Sequence, residues 1–332
     1  MPEPLFPKIF AMPLLQEAFQ RVEENHGCRG SDGVTIAQFR RSLNANLQEL
    51  SFDLAQQRYH PWPLLRFPIP KRAGGQSMAN DWELPAESEA ERPKFRFLSV
   101  PTVRDRVAQS AVFLATRELF EAEFESVSHA YREGRGVHTA IEEILEWRKK
   151  GYRYAMDADI DSFFDNIDHA LLLEKLARLI PEPPLLRLFA KWIRAEVYDG
   201  RKIYPLQKGI PQGSVVSPHL ANLFLDELDE TLAGFGLKLV RYADDFLVLC
   251  KSPEEAEEAV ELSDMILEDL KLDLNPLKTK VVSFDRGFKF LGAVFLSEGA
   301  YLPFPKKRAQ GEPPRLPPAL TLKRYLELRY QD

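Results

Sequence analysis

The sequence has almost no cysteine: Cys28 and Cys250 are the only two in 332 residues, too few for a disulfide framework or a zinc knuckle. It has no run approaching ~18 consecutive apolar residues, which excludes a membrane-spanning helix. Its opening, Met1-Pro2-Glu3-Pro4-Leu5-Phe6, lacks the charged-then-apolar layout of a secretory signal. A reduced, cytoplasmic protein with no membrane partner is expected. A basic surplus is missing too, since the net charge is −6 and a nucleic-acid partner usually selects for a basic surface.

That last absence is uneven along the chain. Segment 81–91 carries five acids and no base, and segment 254–273 carries nine acids and one lysine, leaving +7 for the remainder. Leu54 to Asn80 holds no acid but includes Arg58, Arg66, Lys71 and Arg72. Solvated charged faces on any protein give the same picture, so charge alone does not select a partner.

What is present is mixed local patterning. The first 60 residues read mostly as helix, broken by the reversing loop Gly27-Cys28-Arg29-Gly30-Ser31-Asp32-Gly33. Residues 73–93 combine Gly74-Gly75 with acids and prolines, as an exposed insertion does. Apolar residues at helical spacing from Thr102 to Phe124 predict a buried helix. Residues 237–250 read as two β-prone runs with acids at the bend. Ser252-Pro253-Glu254-Glu255 then starts a helix expected to reach about Leu272. The order predicts an α+β fold with helices on one face of a sheet.

Tyr242-Ala243-Asp244-Asp245 is the sharpest feature. Two adjacent carboxylates between Val240 and Phe246-Leu247-Val248-Leu249 belong beside a buried sheet. Like charges there resist ionisation through desolvation and repulsion. A divalent cation relieves that cost, and magnesium favours one or two carboxylates plus substrate phosphates. A plain Asp-Asp turn is the alternative for the dipeptide alone. A second acid cluster, Asp157-Ala158-Asp159-Ile160-Asp161-Ser162-Phe163-Phe164-Asp165, ends another apolar run upstream. Carboxylates converging from two strands suit two-metal phosphoryl transfer, and a structural calcium site would use the same residue types.

With both clusters in view the sequence resembles the reverse transcriptase (RNA-directed DNA polymerase) family over roughly residues 25–295. Asp159-Ile160-x-x-Phe163-Phe164-Asp165-x-Ile167-x-His169 is similar to the family's first palm motif. Gly209-Ile210-Pro211-Gln212-Gly213-Ser214-x-x-Ser217-Pro218-x-Leu220-Ala221-Asn222 is similar to its template and nucleotide motif, and Tyr242-Ala243-Asp244-Asp245 to its catalytic tetrad. Leu274-Asn275-Pro276-x-Lys278-Thr279 and Phe288-x-Phe290-Leu291-Gly292 follow in order. Ile69-Pro70-Lys71, Arg96 to Pro101 and Ser128-x-Ala130-Tyr131-Arg132-x-Gly134-Arg135 resemble fingers elements. Ser31-Asp32-Gly33-Val34 resembles the N-terminal extension of the group II intron branch.

The resemblance implies a right-hand polymerase: a helical extension over 1–60, fingers over 61–150, and a palm over 151–297 with a fingers-proximal insertion near 170–208. Residues 298–332 form a short basic, proline-rich tail, so a thumb is expected to be absent or vestigial. Asp159, Asp244 and Asp245 become metal ligands for two Mg2+ ions (Mn2+ as substitute), with the Ile160 carbonyl as an additional ligand. Lys71 and Arg96 neutralise the incoming triphosphate, or are solvated bases. Phe164 is the steric gate against a 2′-hydroxyl, or core. Gln212 and Gly213 meet nucleotide or template, or form a polar turn. Lys278 is a general acid for pyrophosphate departure, or a surface lysine. Tyr242, Phe290, Leu291 and Gly292 contact primer and template, the last three as a hairpin that is otherwise plain core strand. His169 has no proton to move and is expected to be structural. The implied partners are an RNA template, a DNA or RNA primer and dNTPs. The short tail resembles the CRISPR-associated lineage, which works beside an adaptation integrase to acquire spacers from RNA. An anti-phage defence enzyme, a degenerate intron enzyme and a catalytically idle nucleic-acid-binding palm stay as alternatives.

Overall fold

The computed structural model describes residues 3–70, 95–301, 316, 317 and 319–329. The N-terminal region is helical, with a 3-10 turn at Phe6–Phe10, then α1 (Met12–Glu24), α2 (Ile36–Arg41) and α3 (Leu43–Ala55). Strands β1 (Leu64–Pro70) and β2 (Phe95–Val100) follow, then α4 (Val103–Glu123) and α5 (Val137–Lys149). The next stretch holds β3 (Tyr154–Asp159), α6 (Phe163–Asn166), α7 (His169–Leu179), α8 (Pro183–Ile193), β4 (Glu196–Tyr198), β5 (Ile203–Pro205) and α9 (Ser217–Gly234). A hairpin of β6 (Lys238–Tyr242) and β7 (Asp245–Cys250) leads into α10 (Pro253–Asp269). The last elements are β8 (Lys280–Ser283), β9 (Phe288–Phe290), β10 (Ala293–Leu296), β11 (Gly299–Tyr301) and α11 (Leu322–Arg329).

The palm is the antiparallel sheet β6-β7-β3-β8. Its period-2 alternation divides the apolar residues between two cores. Met156, Ala158, Leu239, Phe246 and Val248 join a core with buried residues of α9 and α10, such as Phe224 and Leu267. Ala155, Val240, Leu247 and Leu249 face the other way, into a second core with Ile144 of α5 and Phe288, Phe290 and Phe295. Helices on one face were expected; the structure covers the other face as well, with α5 and the three-stranded sheet β11-β10-β9.

The fingers sheet has the order β2-β1-β4-β5, with β1 antiparallel to β2 and parallel to β4. It therefore joins strands that lie on either side of β3 in the chain.

Local chemistry explains the helix limits. The Ser252 hydroxyl accepts from the Glu255 amide at 3.2 Å, and Pro253 occupies the first turn of α10. The helix ends three residues before the expected Leu272. Lys271 takes a left-handed φ of 58°, and the Leu272 amide bonds back to the Leu267 carbonyl at 2.8 Å, closing the end as a Schellman turn.

Candidate active site

Strand register brings two of the predicted acids face to face. Asp159, the last residue of β3, pairs directly with Asp245, the first of β7. Tyr242 pairs with Asp245 across the β6–β7 hairpin, leaving Ala243 and Asp244 as its two-residue turn. Ala243 sits there at φ 60°, a left-handed conformation that hairpin turns usually give to glycine, asparagine or aspartate. Such a conformation costs about 1–3 kcal/mol and persists only when its surroundings impose it.

The surroundings here are a buried ion pair. Arg241 is fully buried, and its guanidinium grips Asp229 of α9 through two bonds, one of them 2.7 Å. Its Nη1 also donates to the Ala243 carbonyl and to Asn222 Oδ1, both at 3.1 Å. Asn222 in turn donates to the Ala130 carbonyl at 2.9 Å. One side chain thus ties the acidic turn to α9 and to the loop before Tyr131. A charged residue inside the β-prone run Leu239-Val240-Arg241-Tyr242 is the signal in the sequence for this network.

The charge of Asp159 adds to the cost of ionising Asp244 and Asp245. Burial, then the charge of Asp159, hold the Asp244 carboxyl above the usual aspartate range. Asp245 opens to solvent on one side, yet enclosure followed by the charges of Asp244 and Asp159 pushes it up to about 7. Tyr131, at φ 63°, faces the same turn: burial, then Asp244, Tyr242 and Asp245, lift its phenol. Lys278 counters this negative charge. Its ammonium lies 2.8 Å from both oxygens of Asp159. Burial lowers that ammonium, but the hydrogen bond and charge of Asp159 outweigh it and hold Lys278 above the usual lysine range.

Asn275 braces Asp159 from the other side, its amide donating to the Asp159 carbonyl at 2.8 Å. An isolated bridge pairs Ile160 with Leu274 through the flanking amides of Asn275 and Asp161, so it leaves the carbonyl of Ile160 itself unused. The remaining acids of this cluster serve elsewhere. Asp161 and Asp165 are exposed, and Asp157 faces Lys280 at 3.6 Å, with burial pushing it up to about 6.

The glycine-containing segment 209–214 is bonded to the stretch that follows Asp159. The Gly209 amide donates to the Ile167 carbonyl and the Ile210 amide to the Phe164 carbonyl, both at 2.8 Å. Gly209 has φ 79°, and a Cβ there would stand 2.7 Å from the Phe164 and Asp165 carbonyl oxygens. His169 accepts its structural role at this point, with Nε2 2.6 Å from the Gly209 carbonyl. The Gln212 carbonyl accepts from the Ser99 amide of β2 at 2.8 Å, so the segment joins palm to fingers. Phe164 is half-buried against the main core, its ring edge-on to Phe163.

Arg96 is exposed on β2. Lys71 lies outside the described residues. Phe290 is 5% exposed and packs in the second core, so its ring is not free to touch a primer. In the turn after it Gly292, at φ 80°, is exposed, while Leu291, at φ 49°, is half-buried against the same core.

Among the described residues no three His, Cys, Asp or Glu side chains form a ready-made metal cage. Magnesium does not need one, because substrate phosphates and water complete its octahedron. Hard carboxylate oxygens gathered at one turn, those of Asp159 already holding a cationic ammonium, fit that ion.

The family model described as reverse transcriptase (RNA-dependent DNA polymerase) matches residues 83–295. Protein YkfC of Escherichia coli (strain K12) is 30% identical over 302 residues, covering 79% of this chain and 74% of YkfC. Group II intron-encoded protein LtrA of Lactococcus lactis subsp. cremoris is 28% identical over 224 residues, which cover 68% of this chain and 34% of LtrA. The chain thus spans about a third of LtrA. Telomerase from Candida albicans, solved in complex with a fragment of telomeric RNA, shares the fold, with a TM-score of 0.55 and 15% identity over 78% of this chain and 48% of that one. The chain belongs to the reverse transcriptase (RNA-dependent DNA polymerase) family and is similar to its group II intron-encoded members.

Proposed function

We propose that this RNA-directed DNA polymerase extends a DNA or RNA primer with dNTPs at the cleft between the β6–β7 turn and the glycine-rich segment. The observation that carries this reading is the pairing of Asp159 with Asp245, with Asp244 beside them in a turn held by Arg241. Asp159 and Asp244, supported by Asp245 and the Ile160 carbonyl, would hold two magnesium ions, which when bound supply charge to the attacking and leaving oxygens of phosphoryl transfer. Lys278 parks its proton-bearing ammonium on Asp159 until triphosphate arrives, and then donates to the departing pyrophosphate. Phe164 places its ring against the sugar, and Gln212 with Gly213 lets template and nucleotide approach the backbone closely. Arg96, and Lys71 outside the described residues, neutralise the triphosphate.

The test is Asp244→Ala. DNA synthesis on a primed RNA template should fall by at least a thousandfold while circular dichroism and thermal unfolding stay native-like, because several kcal/mol of charge stabilisation is removed. Synthesis at the unaltered rate rejects the assignment.

The finer role, spacer acquisition from RNA beside a CRISPR adaptation integrase, rests on the sequence resemblance. It predicts that a purified adaptation integrase lengthens the products made per binding event in the presence of a trap. Equal product lengths with and without the integrase favour the defence or intron-derived alternatives.

A further inference from the structure

The two faces of the fingers sheet are unequally covered. One carries Leu65, Phe67, Ile69, Leu98, Val100 and Tyr198, and is packed by Leu316, Leu320 and α11. The other has a small apolar cluster at one end, Leu64, Ala195 and Val197 with Tyr204 and Leu206. Beyond that cluster it opens into a concavity of about 680 Å3, lined by Arg66, Pro68, Phe97, Asp199, Arg201, Lys202 and Tyr204.

Three cations and two rings line this hollow in a chain whose net charge is −6. The Arg66 guanidinium lies over the Phe97 ring, 4.8 Å from its centroid, and the Lys202 ammonium lies 5.2 Å from the Tyr204 centroid. Phe97 is 47% exposed, so its ring is open to solvent at the edge of the hollow. Among the described lining residues Asp199 is the sole acid, and its Oδ1 is committed. It accepts from the amides of Arg201 at 2.9 Å and Lys202 at 3.0 Å, closing the β4–β5 turn.

We propose that this outer face of the fingers sheet is a binding surface for single-stranded nucleic acid, separate from the catalytic cleft. A guanidinium stacked on a ring keeps its N–H edge free for phosphate, and its planar fork suits that anion. Exposed rings give unpaired bases a stacking platform that no duplex can use, because duplex bases are already stacked. Cationic grooves with aromatic platforms bind single strands in this way, without sequence preference. An acidic peptide would use the cations but leave Phe97 without a purpose.

The experiment uses the whole chain with no nucleotide present, so its outcome is independent of the polymerase assignment. The cleft is first saturated with an unlabelled primer–template duplex that has no overhang. Binding of a labelled 12-nucleotide poly-uridine is then followed by fluorescence anisotropy across a salt series. Reversing the turn charges (Arg201→Glu with Lys202→Glu) should weaken binding at least tenfold and lower the slope of log affinity against log salt by about one to two. Phe97→Ala should weaken binding five- to fiftyfold and leave the salt slope unchanged. Both variants should keep the circular dichroism spectrum and thermal unfolding of the parent, which shows that they are folded. Affinity and slope unchanged in both variants overturn the proposal. So does displacement of the oligonucleotide by poly-glutamate as effectively as by unlabelled poly-uridine, which makes the face a dock for acidic protein.

Discussion

Phe164 follows Asp159 by five residues, and both its ring and its backbone have a partner. It lies edge-on to Phe163 with centroids 5.3 Å apart, while its carbonyl accepts from Ile210. A ring so fixed can refuse a 2′-hydroxyl by clash alone. Phe164→Ala should therefore raise ribonucleotide use relative to deoxynucleotide use by ten- to a hundredfold, read from single-nucleotide incorporation. An unchanged ratio in an active enzyme makes Phe164 a core residue only. A second residue tests electrostatics away from the cleft. Asp226 on α9 is pushed up to about 7 by burial first and then by Asp229, against 3.8 in the unfolded chain. Between those values the folded protein keeps a proton that the unfolded chain releases, so stability falls as pH rises through this window. Asp226→Asn keeps the acceptor for the Glu125 amide and removes that cost. It should stabilise the protein by about 2–4 kcal/mol at pH 8, with the gain fading towards pH 4. Equal gains in melting temperature at both ends of the range would contradict the linkage.

The β6–β7 hairpin depends on Arg241 in a way that stability and activity can separate. Arg241→Met leaves Asp229 buried without its partner, which should cost about 3–5 kcal/mol. Adding Asp229→Leu should recover most of that loss, since apolar replacements of buried ion pairs are often tolerated. DNA synthesis should remain at least tenfold down in the double variant, because the Ala243 carbonyl and Asn222 still lack their donor. Recovery of both properties together means Arg241 serves stability alone. At this scale the sequence was most legible where local rules dominate. Ser252 and Pro253 announced α10, and alternation with adjacent acids announced the hairpin. It was least legible where distant segments meet. Nothing local says that the α9 residues Asn222 and Asp229 would hold the turn at Ala243, or that Phe290 would point inward. The two acid clusters led us to expect Asp159 to converge with Asp244 and Asp245, but not its direct pairing with Asp245, because strand register is a tertiary property.

As a whole the molecule recruits its C-terminal residues into the fingers. Tyr325 and Leu328 of α11 are both used internally. Tyr325 packs 5.7 Å from Trp62, and Leu328 joins the cluster beneath the fingers sheet. The Leu320 amide bonds to the Ser31 carbonyl at 2.6 Å, and its side chain is 1% exposed. Leu320→Ala should accordingly destabilise the protein by about 2–4 kcal/mol in urea unfolding. A loss below 0.5 kcal/mol would mean that this packing contributes nothing. The parallel pairing of β1 with β4 carries a further consequence, for how the protein is made. Leu64 meets Val197 across more than a hundred intervening residues. During synthesis at about 5–20 residues per second, β1 leaves the ribosome many seconds before its neighbour exists. Until then the nascent fingers expose a bare strand edge, the kind of surface on which chains aggregate. Slow translation between the two strands would prolong that exposure, so expression yield should be most sensitive to codon choice within this interval.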